Sequence, residues 1–468
     1  MLDTKLHIQI ATDVANISTH TLLLEISESN IFEKLEKFQI SVPEKILEKI
    51  QKARETEKVF TFYPENENIF EVVIFFSKTD DRLENRTEIF RKFSKNLVYV
   101  PDGFVEEAFE AFVLTMYEFS LYKTKKENFD KIFFVEDVSN LAKLESKIPL
   151  YEAIYAARNL VNLPPNDFYP EAFAQMITSR KWNHFEVEVF GNTELRELGC
   201  NLIRAVGQGS ARDSIMIILK PKKEISGEKF GIIGKWVTFD AGGIQIKPDK
   251  YMLDMKCDMA GAAGVLGVAM YLDSLPELPL NVVFGLGIVE NMTGAAAFKP
   301  LDIYTAYNGK TVEIHHTDAE GRLVLADVMS YVEKNFQVNH LITMATLTGA
   351  CIYALGNDIS GIMGDDERLI STFIDNTSPY ENVWRLPLTP KMIKAVESQT
   401  ADLQNLSESE KAGSSMGAAF LSHFKGDAQF THLDIAGPAY RTKDFGYMPV
   451  GGTGWGVKKI SEVLLSLV

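Results

Sequence analysis

Runs of apolar residues recur along the chain with two periods. In residues 1–150, the stretches 6–10, 20–26, 58–63, 70–76 and 131–135 are short and rich in β-branched and aromatic side chains, which predicts strands. Positions 43–58 and 105–125 carry helical apolar spacing, the first opening at Ser41-Val42-Pro43. A further helix is predicted over 148–160. It is ended by the paired prolines of Asn162-Leu163-Pro164-Pro165, which mark a boundary or sharp turn. Beyond it, strands predicted at 214–219, 230–233, 280–288, 311–315 and 340–345 alternate with helices near 258–275, 322–335 and 416–424. Strands separated by helices predict a largely parallel sheet covered on both faces, with ligands outside the carboxyl ends of the strands. The expected fold is α/β in two domains. A smaller N-terminal α/β domain covers residues 1–150, and a larger domain over 151–468 has a mostly parallel or mixed central sheet flanked by helices.

Composition narrows the class. A chain of 468 residues exceeds one ordinary core, and 46% hydrophobic with 24% charged residues is the balance of a soluble globular protein. The formal net charge of −16 disfavours general nucleic-acid binding but does not repel a cationic ligand such as a peptide's amino end. Cys200, Cys257 and Cys351 are few, odd in number and far apart, as expected in a reducing compartment. The first residues lack a basic start followed by an apolar core. The longest apolar run, 278–289, is broken by Pro279 and Asn281, short of the ~18 residues a membrane helix needs. A cytoplasmic protein without a membrane segment is expected. The charge-rich stretches 80–91 and 123–126 read as solvated faces.

Candidate chemistry is concentrated between Gly234 and Arg322. In Thr317-Asp318-Ala319-Glu320-Gly321-Arg322 the charges fall at every second residue, so an extended segment would point all three one way. Upstream, Asp240 precedes a Gly242-Gly243 turn, where absent side chains permit positive φ and close approach. Asp258 opens a helix of small residues, and Lys235 and Lys247 lie in the same stretch. Taken singly, Asp240 is a turn residue and Asp258 a helix N-cap. Taken together, Asp240, Asp258, Asp318 and Glu320 converging on one buried site repel one another unless divalent cations neutralise them. Oxygen-rich sites suit magnesium, manganese or zinc, and paired ions in hydrolytic enzymes sit ~3.5–4 Å apart. His316 is as apt to pack as to ligate. By itself the pattern points to a two-metal hydrolase.

Two other motifs are decoys. Gly413-Ser414-Ser415-Met416-Gly417 matches the serine-hydrolase elbow, but a polar run precedes it, and His432 then Asp434 reverses the order that fold expects. Gly285-Leu286-Gly287 has Glu290 where the dinucleotide fingerprint needs its third glycine.

The stretches 234–248, 255–263, Glu290-Asn291-Met292, 317–325 and Ala345-Thr346-Leu347-Thr348-Gly349-Ala350 resemble, in order, the successive motifs of the leucine aminopeptidase (cytosol aminopeptidase) family. Residues 316–323 read HTDAEGRL against that family's NTDAEGRL signature. The likeness continues through Ala401-Asp402-Leu403, Ala412-Gly413-Ser414-Ser415 and His432-Leu433-Asp434-Ile435-Ala436-Gly437. It spans the chain from residue 157 onward, whereas the first 150 residues resemble the family only in size and α/β character.

The resemblance implies that Lys235, Asp240, Asp258, Asp318 and Glu320 ligate two divalent ions, manganese or zinc, with Asp240 and Glu320 bridging. A lysine ligand must be neutral, which costs roughly 5 kcal/mol at pH 7 and needs an adjacent dication. It further implies hydrolytic release of N-terminal residues from short peptides with a free amino end. Lys247 would stabilise the oxyanion, and Arg322 would hold a bicarbonate acting as general base. Met255, Thr346, Gly349, Ala436 and Ala439 would form a pocket for leucine- or methionine-like side chains, widened by the small Ala439. A homohexamer, a dimer of trimers with sites facing an interior cavity, is also implied. The chain departs from the family pattern at Trp236, Ala241, Ala260, Thr293, Leu301, His316 and Thr343, and Trp236 is expected to add bulk beside a ligand. None of these removes a ligand, Lys247 or Arg322. Rival readings are a DNA-binding or scaffold role on the same fold, which the acidity and intact residue set argue against, and a two-metal phosphoesterase.

Overall fold

The computed structural model describes residues 6–13, 19–26, 31–56, 59–65, 68–76, 82–93, 96–125, 130–407 and 411–468. They fall into two compact units: Ala153–Thr442 with Val450–Val468, and the described residues of Lys5–Glu152 with Lys443–Pro449. The boundary lies inside one helix, Leu141–Asn162, which starts earlier than residue 148 because Pro149 is accommodated within it.

The larger unit is built on an eight-stranded sheet. Its strands are β1 (Phe185–Phe190), β2 (Ile215–Pro221), β3 (Lys229–Asp240), β4 (Asn281–Asn291), β5 (His340–Ala345), β6 (Ile359–Gly364), β7 (Asn382–Arg385) and β8 (Gln429–Asp434). The order is β7-β6-β8-β5-β3-β4-β2-β1. The four central strands β8, β5, β3 and β4 are mutually parallel, whereas β2 and β6 join them antiparallel. Strand β3 is apolar almost throughout because helices cover both its faces. Ala260–Ser274 packs on one face, where a Cβ on Gly234 would stand 2.4 Å from Ala262 Cα. Gly321–Phe336 packs on the other, with Val332 beside Gly231. Strands β1, β6, β7 and β8 carry no strand in the sequence reading. Strand β3 extends beyond the expected 230–233 and runs to Asp240, just before the Gly242-Gly243 turn.

A bulge in β3 decides which way the chemistry points. Lys235 pairs with Gly287 and Val237 with Val289, but Asp240 pairs with Asn291, so β3 holds one residue more than β4 over this stretch. In a regular strand Lys235 and Asp240, five apart, would face opposite sides of the sheet; the extra residue brings them to the same side.

The smaller unit is a six-stranded sheet in the order Gln9–Ala11, Lys131–Phe134, Leu97–Val100, Thr19–Ile26, Ile69–Phe76, Val59–Phe62. It is parallel except at its last strand. The helix expected over 105–125 stops at Thr115. The stretch 80–91 corrects the sequence reading. Its described part lies in the helix Arg82–Lys92, and Arg86 is not solvated but wholly buried, its Nε and Nη2 within 3.0–3.2 Å of the Glu25 carboxylate. Tyr99 Oη and Asp102 N also reach Glu25. Lys58, Asp80 and Lys126 lie outside the described residues.

Two predictions follow from buried charge. Arg86→Met leaves Glu25 buried without its cation and is expected to cost about 3–5 kcal/mol. In urea titration, Arg86→Met combined with Glu25→Leu should recover most of that loss; a single variant as stable as wild type would contradict the assignment. The second concerns the amino end of β5, where His340 Nδ1 lies 2.5 Å from Asp366 Oδ2. That hydrogen bond outweighs burial and holds the imidazole above its ordinary value, and although burial opposes the Asp366 charge, His340 holds that carboxyl below its own. The folded chain thus binds the histidine proton more tightly than the unfolded chain. Its stabilisation is complete below about pH 6.5 and is lost as pH rises through the raised folded value. The Asp366 part is present above about pH 4 and is lost only in acid. His340→Gln should therefore cost about 2 kcal/mol near pH 5.5 and little near pH 9. An equal loss at both pH values would refute the linkage.

Candidate active site

The carboxyl ends of β3, β4, β5 and β8 present Asp240, Asn291, Ala345 and Asp434 along one edge of the sheet. Lys235 enters from within β3 and is 2% exposed. Its Nζ lies 2.7 Å from Asp258 Oδ1, 2.8 Å from Glu320 Oε1 and 3.0 Å from the Thr346 carbonyl. Lys247 Nζ lies 2.8 Å from Asp240 Oδ2 and also contacts Asp318 Oδ1. The structure thus brings all five expected ligands and Lys247 together.

Each carboxylate is held separately. Asp240 Oδ1 accepts from Gly242 N at 2.9 Å and Asn291 Nδ2 at 2.8 Å; Gly242 and Gly243 have φ of 88° and 68°, as the turn required. Asp258 does not cap its helix. Its Oδ1 accepts from Thr346 Oγ1 at 2.9 Å, and its buried Oδ2 has no protein partner. Asp318 and Glu320 do not sit on an extended strand. Residues 317–318 form a turn, Glu320 has helical φ/ψ of −79° and −37°, and the helix Gly321–Phe336 follows at once. Asp318 is the most open of the four, its side chain 28% exposed. Gly321 is where the sequence must yield space: a Cβ there would lie 2.4 Å from Lys235 Cε and 2.8 Å from Nζ.

Burial pushes Asp240, Asp258 and Asp318 above the usual carboxylate range, and the neighbouring Glu320 charge adds to it. Burial also works against Glu320, but Lys235 and Lys247 hold it low. Burial opposes charge on Lys235 too, yet Asp258 and Glu320 hold its ammonium well above the ordinary lysine value. Carboxylate oxygens of Asp240, Asp258 and Glu320 lie within 4.8 Å of one another. That oxygen set, with an unpartnered Asp258 Oδ2 aimed among buried charges, fits a divalent cation.

Arg322 is buried behind this cluster and makes no ion pair with Asp318 or Glu320. Its Nη1 donates to the Asn405 carbonyl at 2.8 Å, and its Nε has no protein partner. Burial pulls its pKa down to about 10 against Glu320 and Asp434. Of the expected pocket residues, Met255, Thr346 and Ala436 are partly exposed, Gly349 is exposed, and Ala439 is buried at 2%. Trp236 does not crowd the site. It points to the opposite face from Lys235 and packs edge-on against Phe173 with centroids 4.1 Å apart. His316 Nδ1 accepts from Asp318 N at 3.1 Å. The serine-hydrolase decoy fails here as well: Ser415 is buried in the helix Gly413–Ser422, and His432 Nδ1 bonds Thr343 Oγ1 at 2.8 Å.

Three residues absent from the sequence-derived set organise the centre. Asn291 orients Asp240 and also donates to the Thr317 carbonyl at 3.1 Å. Asn405 grips the segment around His316. Asp434 accepts from Thr348 Oγ1 at 2.7 Å and Ser414 Oγ at 2.8 Å. Asn291 and Asp434 had a signal, their places in Glu290-Asn291-Met292 and in His432-Leu433-Asp434; Asn405 had none.

Fold and centre together define a metal-dependent hydrolase. Residues 155–461 match the cytosol aminopeptidase family, catalytic domain. A probable cytosol aminopeptidase of Methylorubrum extorquens is 38% identical over 360 residues, 75% of this chain and 72% of that one. One of Wolbachia pipientis wMel is 33% identical over 429 residues, 86% of this chain and 85% of that one. Among solved structures, the bottromycin maturation enzyme BotP in complex with Mn aligns with a TM-score of 0.82 at 27% identity, covering 96% of this chain and 100% of that one. The chain belongs to the cytosol aminopeptidase family and is a metal-dependent hydrolase of the leucyl aminopeptidase type. Among the described residues no helix is long and apolar enough to cross a membrane.

Gly321→Ala should improve helix propensity yet force Lys235 aside. Calorimetric titration with manganese is expected to show at least tenfold weaker binding with little change in melting temperature. Unchanged affinity would show that the Gly321–Lys235 contact is not needed.

Proposed function

We propose that the protein is a two-metal aminopeptidase that removes N-terminal residues from short peptides. The observation that carries the reading is the interleaving of Lys235 and Lys247 with Asp240, Asp258, Asp318 and Glu320 around one buried point. Lys235, Asp240, Asp258 and Glu320 would hold one ion, and Asp240, Glu320 and Asp318 the other. Manganese is favoured over zinc by the likeness to BotP in complex with Mn. Bound there, the ions supply Lewis acidity for the scissile carbonyl and lower the pKa of a water.

The chain's own residues do the rest. Lys247, kept cationic by Asp240 although burial opposes it, stands ready to meet the oxyanion as negative charge develops. Arg322, whose Nε has no protein partner, would hold a bicarbonate ion, and that ion would supply a general base beside the attacking water. Met255, Thr346, Gly349 and Ala436, with Ala439 behind them, would receive an aliphatic first side chain. The family also supports a cytoplasmic homohexamer.

Leucine-p-nitroanilide hydrolysis after manganese or zinc loading tests this. Wild type should be active and Lys247→Ala slower by about 10²–10³ in kcat. Asp258→Ala should lose activity together with ion affinity. Gel filtration reads the assembly state. A wild type that ignores the anilide with either metal but cleaves p-nitrophenyl phosphate would replace this reading with a phosphoesterase.

A further inference from the structure

The turn that carries Asp318 and Glu320 is gripped by a side chain from far along the sequence. His315 N and His316 N both donate to Asn405 Oδ1, at 2.7 and 3.2 Å. Asn405 Nδ2 donates to the carbonyls of His316 and Ala319, at 2.7 and 3.2 Å. The Asn405 carbonyl takes Arg322 Nη1 at 2.8 Å, and its N–H donates to Glu313 O at 3.1 Å. A primary amide has two donor hydrogens and two acceptor lone pairs, and here all four are used. Asn405 is 0% exposed, so none of these bonds is exchanged cheaply for water. It reaches this place because Leu403–Gln404 pairs in parallel with Thr311–Glu313, and the segments that follow the two short strands run side by side.

We propose that Asn405 is the positioning residue of the centre, holding Asp318, Glu320 and Arg322 at fixed separation before any ion binds. The physical need is clear. Two of four mutually repelling carboxylates ride on one turn, whose cheapest relief is to swing outward; Asn291, Gln245 and the Gly242 carbonyl hold it at Thr317 alone, and Asn405 holds the residues on either side, from His315 to Ala319. A neutral amide alone serves, because it matches both N–H and C=O groups of the turn. A carboxylate in its place would lose both donors to His316 O and Ala319 O and add a charge of the repelling sign. By holding Arg322 through its own carbonyl, Asn405 also ties the guanidinium to the same frame. Its catalytic readout rests on the aminopeptidase reading; its ion-binding readout does not.

The test uses Asn405→Asp, which keeps the acceptor side of the amide, and Asn405→Ala. Asn281→Ala serves as control, since Asn281 is also a buried asparagine, away from the centre, and donates to Ile225 O at 2.8 Å. All three variants should melt below wild type. In metal-stripped protein titrated calorimetrically with manganese, Asn405→Asp should bind at least tenfold more weakly, while Asn281→Ala binds as wild type. At saturating metal, kcat on leucine-p-nitroanilide should fall tenfold or more in Asn405→Asp with KM within threefold. Hydrogen exchange at residues 315–319 should quicken. If Asn405→Ala does not fold, Asn405→Asp carries the comparison. A folded Asn405→Asp with a lowered melting temperature but wild-type ion affinity, kcat and exchange would overturn the proposal. Wild type that binds manganese without cleaving aminoacyl substrates would sink the aminopeptidase reading, while weakened binding in Asn405→Asp would still support the tether.

Discussion

Like-charge repulsion inside a low-dielectric pocket is the constraint on which the rest depends. Asp240, Asp258 and Glu320 are each nearly removed from water, and Asp318 is only partly open. Such a group holds together only if every carboxylate has a cation or donor of its own. Two ammonium groups fill that role. Lys235 neutralises Asp258 and Glu320 from inside the sheet, and Lys247 neutralises Asp240 and Asp318 from the loop that follows. Neutral donors add to this: Asn291 and the Gly242 amide hold Asp240 Oδ1 and Thr346 holds Asp258 Oδ1, which leaves Asp258 Oδ2 without a protein partner. Local sequence oddities follow from this need, including a lysine in the middle of a buried strand and a glycine at the start of Gly321–Phe336.

Much of this centre was legible in the sequence, because carboxylates among glycines break the ordinary apolar pattern. What could not be read was geometry. The alternating charges of Asp318, Glu320 and Arg322 suggested an extended segment, but the structure uses a turn and a helix start. Arg322 thereby goes behind the cluster and not beside its neighbours. Trp236 looked like an obstruction because sequence adjacency to Lys235 suggested spatial adjacency, and strand alternation sends it to the other face. Asn405 was invisible for a different reason. Its function comes from a two-residue strand pairing across a long sequence separation, which leaves no periodic trace.

The fold was legible where the apolar run is continuous, as in β4 and β5, and lost in the outer strands β1, β6 and β7 and in the central β8, whose apolar run is interrupted by Thr431, His432 and Asp434. The smaller unit shows the opposite error. A charge-rich stretch was read as solvent-facing because most such stretches are. The Arg86–Glu25 pair is fully buried, and the planar guanidinium meets the carboxylate through Nε and Nη2 while Tyr99 and a backbone amide also donate to it. Composition reports how many charges a segment has, not which of them finds a partner elsewhere in the chain.

The single extra residue in β3 gives the chain something like a reading frame. Removing one residue from between Val237 and Asp240 would leave every functional side chain present and restore a regular ladder with β4, yet Asp240 would then face away from Lys235. The interval from Lys235 to Asp240 has no slack, so among relatives of this fold it should vary in composition far more freely than in length.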